Sequence, residues 1–201
     1  MSQPSMSESL GTRSIILQSA LSLFVLYGYD GVSIRQIAEK ANCNMGSISY
    51  HFGGKEALYR ECLFSFDMSG VESILFHLTD PLDSASISQK LKQFIINMGN
   101  FCLANRNSLC LLARERHTQT PFSEEITEKF YRPIFHRLTD FLEVAQERNL
   151  IRKDLNISFF VRSLLVIVKG ETLFNENPDS KIDLKMIANE YLKICNRSIY
   201  V

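Results

Sequence analysis

No excess charge of either sign marks this chain: 22 basic side chains are balanced by 22 acidic ones over 201 residues. That balance argues mildly against nucleic-acid binding, and non-specific attraction to DNA is expected to be weak. The first 60 residues do little better, with Arg13, Arg35, Lys40, Lys55 and Arg60 set against Glu8, Asp30, Glu39 and Glu56. Metal-ligand spacing is absent too. The cysteines (Cys43, Cys62, Cys102, Cys110, Cys195) form no C-x-x-C pair, and His51, His77, His117 and His136 are scattered. Neither a metal site, a cofactor nor a disulfide framework is expected. No apolar run reaches the roughly 18 residues of a membrane span. The nearest stretch, 159–168, is short and contains Arg162. The polar first residues lack a secretory leader pattern. The expectation is a cytoplasmic protein with no membrane contact. There is no nucleophile–base pair, paired carboxylate or phosphate-cradling glycine loop, so an enzyme is not expected.

What is present is helical periodicity throughout, in a chain whose 45% apolar content is that of a globular protein. The most informative stretch is 33–52. Ser33 and Gln36 have the spacing of a capping box. Ile34, Ile37, Ala38 and Ala41 then recur at helical intervals and predict a short buried stripe. Asn42-Cys43-Asn44 interrupts the pattern with turn-prone residues, and Asn44 can cap a second helix. In that helix Ile48 and Phe52 stand one turn apart as anchors. Its other faces offer Met45, Gly46, Ser47, Ser49, Tyr50 and His51. Gly46 costs a helix roughly 1 kcal/mol against Ala, a cost expected to be offset by close approach of the backbone to DNA.

Short hydroxyls and aromatic tips on an uncharged helix suit base edges and phosphates in a major groove. Ser47 and Ser49 can donate or accept. Met45 and Tyr50 can touch a thymine methyl or a sugar. His51 and the Tyr50 hydroxyl can donate to phosphate. Arg13, Ser33, Arg35, Asn44 and Lys55 complete the candidate DNA-binding set. Lys55 follows Gly53-Gly54 at a helix start, where free N–H groups attract phosphate.

From about Leu10 to Cys62 the chain resembles the DNA-binding domain of the TetR family of bacterial transcription regulators. The matching residues are Ala20 and Phe24, the run Gly28-Tyr29-Asp30-Gly31-Val32-Ser33-Ile34, Ile37-Ala38, Gly46-Ser47-Ile48, Tyr50-His51-Phe52 and Lys55-Glu56-Ala57-Leu58. Ser49 departs from the pattern, since many members have an aromatic residue there. The stretch Asn149-Leu150-Ile151-Arg152-Lys153-Asp154-Leu155 is similar to a connector of the family's C-terminal domain, with Asn149 in place of glycine.

The expected fold is all-α. An N-terminal three-helix helix-turn-helix domain over 10–70 joins a C-terminal helical ligand-binding and dimerisation domain over 71–201. Helices are expected at about 10–27, 55–78, 86–105, 108–117, 123–149 (kinked or divided at Pro133), 157–174 and 182–197. The 55–78 helix is expected to link head and body. Helix 157–174 is apolar nearly all round and must be covered on every side. It is expected to pair with helix 182–197 and their copies across a two-fold axis through Phe160, Leu164, Ile167, Val168, Ile187, Tyr191 and Ile194. A homodimer of this kind reads a roughly palindromic double-stranded operator, with half-sites about 34–36 Å apart or a multiple.

The resemblance also implies an effector cavity among the central helices. The candidates are Met98, Phe101, Cys102, Arg114, His117, Phe130, Phe135 and Ile167. The function implied is a repressor released from DNA by a small molecule. An activator of the same fold and a helical protein-interaction module are the alternatives.

Overall fold

The computed structural model describes residues 6–66, 68–118, 122–173 and 182–199, and among these it is helical with no strand. Eleven α-helices follow in order among the described residues: α1 Met6–Tyr27, α2 Ile34–Lys40, α3 Met45–Phe52, α4 Lys55–Leu63, α5 Met68–Phe76, α6 Ser84–Ala104, α7 Arg106–Thr118, α8 Ser123–Ile126, α9 Arg132–Glu147, α10 Ile157–Leu173 and α11 Leu184–Ile199.

Their packing defines two compact units. The first gathers Met1–Phe66 with Asn107–Ser123, and the second gathers Asp67–Arg106 with Glu124–Val201. The first unit is thus discontinuous in sequence. Residues 107–123, which the 10–70 and 71–201 division places in the second domain, pack with the first.

In the first unit α1 lays Ile16, Ala20 and Phe24 against α4, all fully buried. The stripe repeats every four residues, and Tyr27, three residues after Phe24, turns out to solvent. Gly28 ends α1 with φ +72°, a conformation that side-chain-bearing residues rarely adopt. Its N–H reaches the Phe24 carbonyl at 2.8 Å.

The linking helix expected over 55–78 is two helices. α4 stops at Leu63, and Phe64 leaves helical geometry at φ −108°, ψ 25°. Ser65 makes the break local: its hydroxyl donates to the Cys62 carbonyl at 3.0 Å, taking a bond that a continuing helix would make through its backbone. Phe66 is buried as the chain turns.

In the second unit α6 is the central helix, packed by α5, α10 and α11. Asp83 opens it with a capping box, accepting from the Ser86 N–H at 2.6 Å while the Ser86 hydroxyl accepts from the Asp83 N–H at 3.1 Å. Ser in the reciprocal position is outside the usual Glu/Gln pattern, which is why the sequence places this start two residues late. Gly99 lets α11 close on α6, since a Cβ there would come within 2.5 Å of Leu184. Pro133 divides its helix as expected. It has no N–H for the carbonyl four residues back, and the chain widens into a π-helical turn over Thr127–Tyr131 before α9 starts.

Asn149 is left-handed at φ 57°, as its glycine-like place implies. Asn149→Ala is expected to lower the unfolding free energy by about 1 kcal/mol, because alanine resists that conformation, whereas Asn149→Gly leaves it nearly unchanged. Urea denaturation of the three proteins measures this.

Candidate nucleic-acid interface

Everything exposed on the two-helix unit is held there by a small buried anchor. Ile37 and Ala38 of α2 and Ile48 and Phe52 of α3 are buried, and Val32 and Ala41 close the same core. Both caps form as the sequence predicts. The Ser33 hydroxyl accepts from the Gln36 N–H at 3.2 Å, and the Gln36 side chain accepts from the Ser33 N–H at 2.7 Å. Asn44 Oδ1 accepts from the Ser47 N–H at 2.8 Å and from its hydroxyl at 3.1 Å. Gly53, at φ 81°, ends α3 with its N–H on the Ser49 carbonyl.

The opposite face of α3 is open. Tyr50 is 79% exposed and Met45 55%. Gly46 and Ser49 are exposed, and Ser47 and His51 half so. The Tyr50 and His51 rings meet edge to face at 5.0 Å, which restricts both side chains. A bare α3 face flanked by two capped starts can enter a groove without a change in its own backbone. At Gly46 a Cβ would lie 3.1 Å from Asn44 Oδ1, so the capping geometry itself crowds that position.

The basic residues divide by what already holds them. Arg35 pairs with Glu39 at 2.8 Å on a solvated surface, and it can exchange that partner for a phosphate. Lys55 places its ammonium 4.1 Å from the centre of the Tyr29 ring at the start of α4. Arg13 is different. Its guanidinium is bonded to Glu61 of α4 and lies 4.8 Å from the centre of the Phe52 ring. It therefore ties α1, α3 and α4 together, a positioning part that the sequence reading missed because Glu61 lies 48 residues away.

Cys43, in the turn before α3, is half-buried, and burial pushes its thiol up, away from the reactive thiolate. Cys62 is buried and pushed up to about 12 by desolvation, with Glu61 adding to it.

The effector candidates fall into both units. Met98, Phe101, Cys102 and Phe130 are buried in the second, with the Phe101 and Phe130 rings stacked at 6.5 Å. Phe135 and Ile167 are half-buried there, and Arg162 sits over the Phe135 ring at 5.7 Å. Arg114 belongs to the first unit, where its guanidinium lies against Gly28. The side chain of His117 lies outside the described residues. A cleft of about 370 Å³ in the second unit is lined instead by Phe76, His77, Thr79, Ser86, Gln89, Lys90 and Gln93. The Lys90 ammonium is already taken up by the Thr79 carbonyl and hydroxyl and the Asp80 carbonyl. Among the described residues no cluster of His, Cys, Asp or Glu could hold a metal, and no helix is long and apolar enough to cross a membrane.

The dimer candidates are also redistributed. Phe160, Leu164, Val168 and Tyr191 are buried within their own chain, and the Phe160 and Tyr191 rings meet at 6.1 Å. Ile167 and Ile187 are half-buried. Only Ile194 of the seven is open, at 75%, and among the described side chains the other large exposed apolar ones of α10 and α11 are Phe159, Val166 and Met186. α6 packs against both helices, on the side that the sequence assigned to a partner.

A capped, buried-anchor helix pair with an open second helix defines a helix-turn-helix DNA-binding head. Residues 16–62 match the model of the bacterial regulatory proteins, tetR family. The "Probable HTH-type transcriptional regulator YttP" of Bacillus subtilis is 26% identical over 121 residues, which span 60% of this chain and 58% of that protein. The "Probable acrEF/envCD operon repressor" of Escherichia coli K12 is 24% identical over 177 residues, 85% of this chain and 76% of that one. The same fold occurs in the TetR-family regulator PfmR from Thermus thermophilus, with a TM-score of 0.69 at 18% identity, covering 90% of this chain and 97% of that one. It occurs again in AibR, solved with isovaleryl coenzyme A and operator DNA, with a TM-score of 0.72 at 17% identity, covering 91% and 97%. Over residues 16–62 the chain is similar to the DNA-binding segment of TetR-family regulators, and its fold is the one those solved regulators share.

Asn44→Ala is expected to cost about 1 kcal/mol of stability through loss of the α3 cap. Tyr50→Ala, with nothing buried to lose, should stay within about 0.5 kcal/mol of the parent. Chemical denaturation of both variants checks the contrast.

Proposed function

We propose that the protein is a dimeric, sequence-specific transcriptional repressor that leaves its operator when a small molecule binds its second unit. The observation that carries the reading is the α3 face: Met45, Gly46, Ser49 and Tyr50 exposed on a helix capped at its start and anchored by Ile48 and Phe52. In this reading Met45, Ser47, Ser49 and Tyr50 meet base edges and sugars, while Arg35, Lys55 and His51 donate to phosphates. Ser33, Asn44 and Arg13 keep the helices in place, and Gly46 lets the backbone approach. The repressor sign is supported by the Escherichia coli relative, which is named as an operon repressor. The ligand is supported by AibR, which was solved with an acyl coenzyme A and operator DNA together. Met98, Phe101, Cys102 and Phe130 are the apolar group around which an effector would bind.

Dimerisation is assigned to the exposed apolar side chains of α10 and α11. Phe159 and Val166 lie seven residues apart, two helical turns, and so share one stripe of α10. Burying that stripe against a second copy removes it from water and presents two reading heads to a palindromic site. The protein works in the cytoplasm in this reading.

Duplexes selected from genomic DNA by the purified protein are expected to share a roughly palindromic site, and equal affinity for every duplex would overturn the reading. Arg35→Ala with Tyr50→Ala abolishes selective binding but leaves the dimer intact by sedimentation, which separates DNA binding from a protein-interaction role. Phe159→Asp with Val166→Asp yields monomers that lose operator binding while the fold survives. The salt dependence should be modest, since its slope counts neutralised phosphates at about 0.9 each and few cations flank α3. Compounds that raise the melting temperature and release the operator identify the effector class, and none doing both in a broad screen would argue against a ligand switch.

A further inference from the structure

The first unit includes a helix that no reading of a three-helix head requires. α7 packs there through its own polar links, and each reaches a different part of the head. The Ser108 hydroxyl, on a residue 5% exposed, lies 2.6 Å from the Ser65 hydroxyl, just past the end of α4. One carboxylate oxygen of buried Glu115 accepts a hydrogen bond from the hydroxyl of Tyr59, a residue with no exposed surface in the middle of α4. The Arg114 guanidinium lies against Gly28, where an added Cβ would come within 2.8 Å of it, and so sits at the carbonyl end of α1. That placement opposes the negative end of the helix dipole.

Two of these links fix a register. Residues 59 and 65 of one segment meet 115 and 108 of the other, so α4 and α7 run antiparallel. Sliding α7 by one turn breaks both bonds. The Tyr59 ring is also the hub of the local packing. It meets Phe24 at 4.7 Å, Tyr29 at 4.9 Å and Phe122 at 5.6 Å, and Tyr29 carries the Lys55 ammonium on its face. From α4 the connection runs to the reading helix through Glu61, Arg13 and the Phe52 ring at the end of α3.

We propose that α7 is a working part of the reading head, and that Glu115 is a positioning residue for operator binding: by holding the Tyr59 hydroxyl it fixes α4, and through Glu61, Arg13 and Phe52 the angle at which α3 is presented. The proposal rests on the DNA-binding reading above. Ser108 and Arg114 are secondary parts of the same device. None of the three is on the α3 face, so their effect on DNA must pass through the head's geometry.

The test uses the whole 201-residue chain and an operator selected by the parent protein. Glu115→Ala strands the Tyr59 hydroxyl in the core, and both melting temperature and operator affinity fall. Glu115→Gln keeps an acceptor there and restores most of both. The deciding protein is Tyr59→Phe combined with Glu115→Met, which removes both ends of the Tyr59–Glu115 bond so that neither is stranded by loss of the other. The expected result is a melting temperature near the parent value with operator affinity still down about tenfold, a change well beyond measurement scatter, and affinity for scrambled duplex unchanged. If affinity returns together with stability, Glu115 only stabilises the fold and the proposal is overturned. Should the double variant not fold, Ser108→Ala and Arg114→Gln carry the same test, because both are small or peripheral changes. Parental operator affinity in both overturns it as well. A parent protein that shows no preference among duplexes refutes the DNA-binding reading instead, a result visible before any variant is made.

Discussion

An eight-residue helix has no stability of its own in water, and α3 is such a helix. The whole molecule therefore rests on how α3 is pinned. Ile48 and Phe52 are all it can bury, and they fall on one side with a single turn between them. Asn44 and Gly53 satisfy its ends, and the Arg13 guanidinium covers the Phe52 ring from outside. Because so few contacts hold it, none of the remaining surface needs to be apolar. The face presented outward is free to be chosen for what it meets, which is why it carries hydroxyls, a phenol and a thioether in place of leucines.

The same economy shapes the electrostatics. A neutral chain gains little from long-range attraction, and the head spends one of its few arginines on internal architecture by pairing Arg13 with Glu61. Arg35 and Lys55 are held lightly, by a solvated carboxylate and by a ring face. A cation parked in this way is kept near its working position without being desolvated, and it can be transferred to a phosphate at small cost. Recognition by such a head depends on fit, and fit depends on the angle of α3.

The local features were legible because their causes are local. The capping box of Ser33 and Gln36, the Asn44 cap, the Pro133 division and the left-handed Asn149 each need only a few neighbouring residues to be deduced. The reading face followed from the same arithmetic, since Ile48 and Phe52 define the inside and so leave the rest outside. What the sequence could not show was which of two apolar sides a helix gives to its own chain. Phe160, Leu164, Val168 and Tyr191 were assigned to a partner, yet they pack within the chain because α6 takes that side. Periodicity finds a stripe but not its neighbour. The contacts of Arg13, Arg114 and Glu115 were out of reach for the same reason, since Glu61, Gly28 and Tyr59 lie tens of residues away. The break at Ser65 was missed because serine is tolerated in helices and its hydroxyl bond to the Cys62 carbonyl is visible only in three dimensions.

The split make-up of the first unit bears on how the molecule is made. Synthesis proceeds from the N-terminus, so Met1–Phe66 leaves the ribosome well before Asn107–Ser123. During that interval the Tyr59 hydroxyl lacks its Glu115 acceptor, and the ring lacks Phe122. A nascent chain that stalls or is cut before residue 123 holds every atom of α3 but lacks one wall of its support. With α7 as a part of the reading head, as proposed, truncated products would compete poorly for the sites that finished molecules occupy.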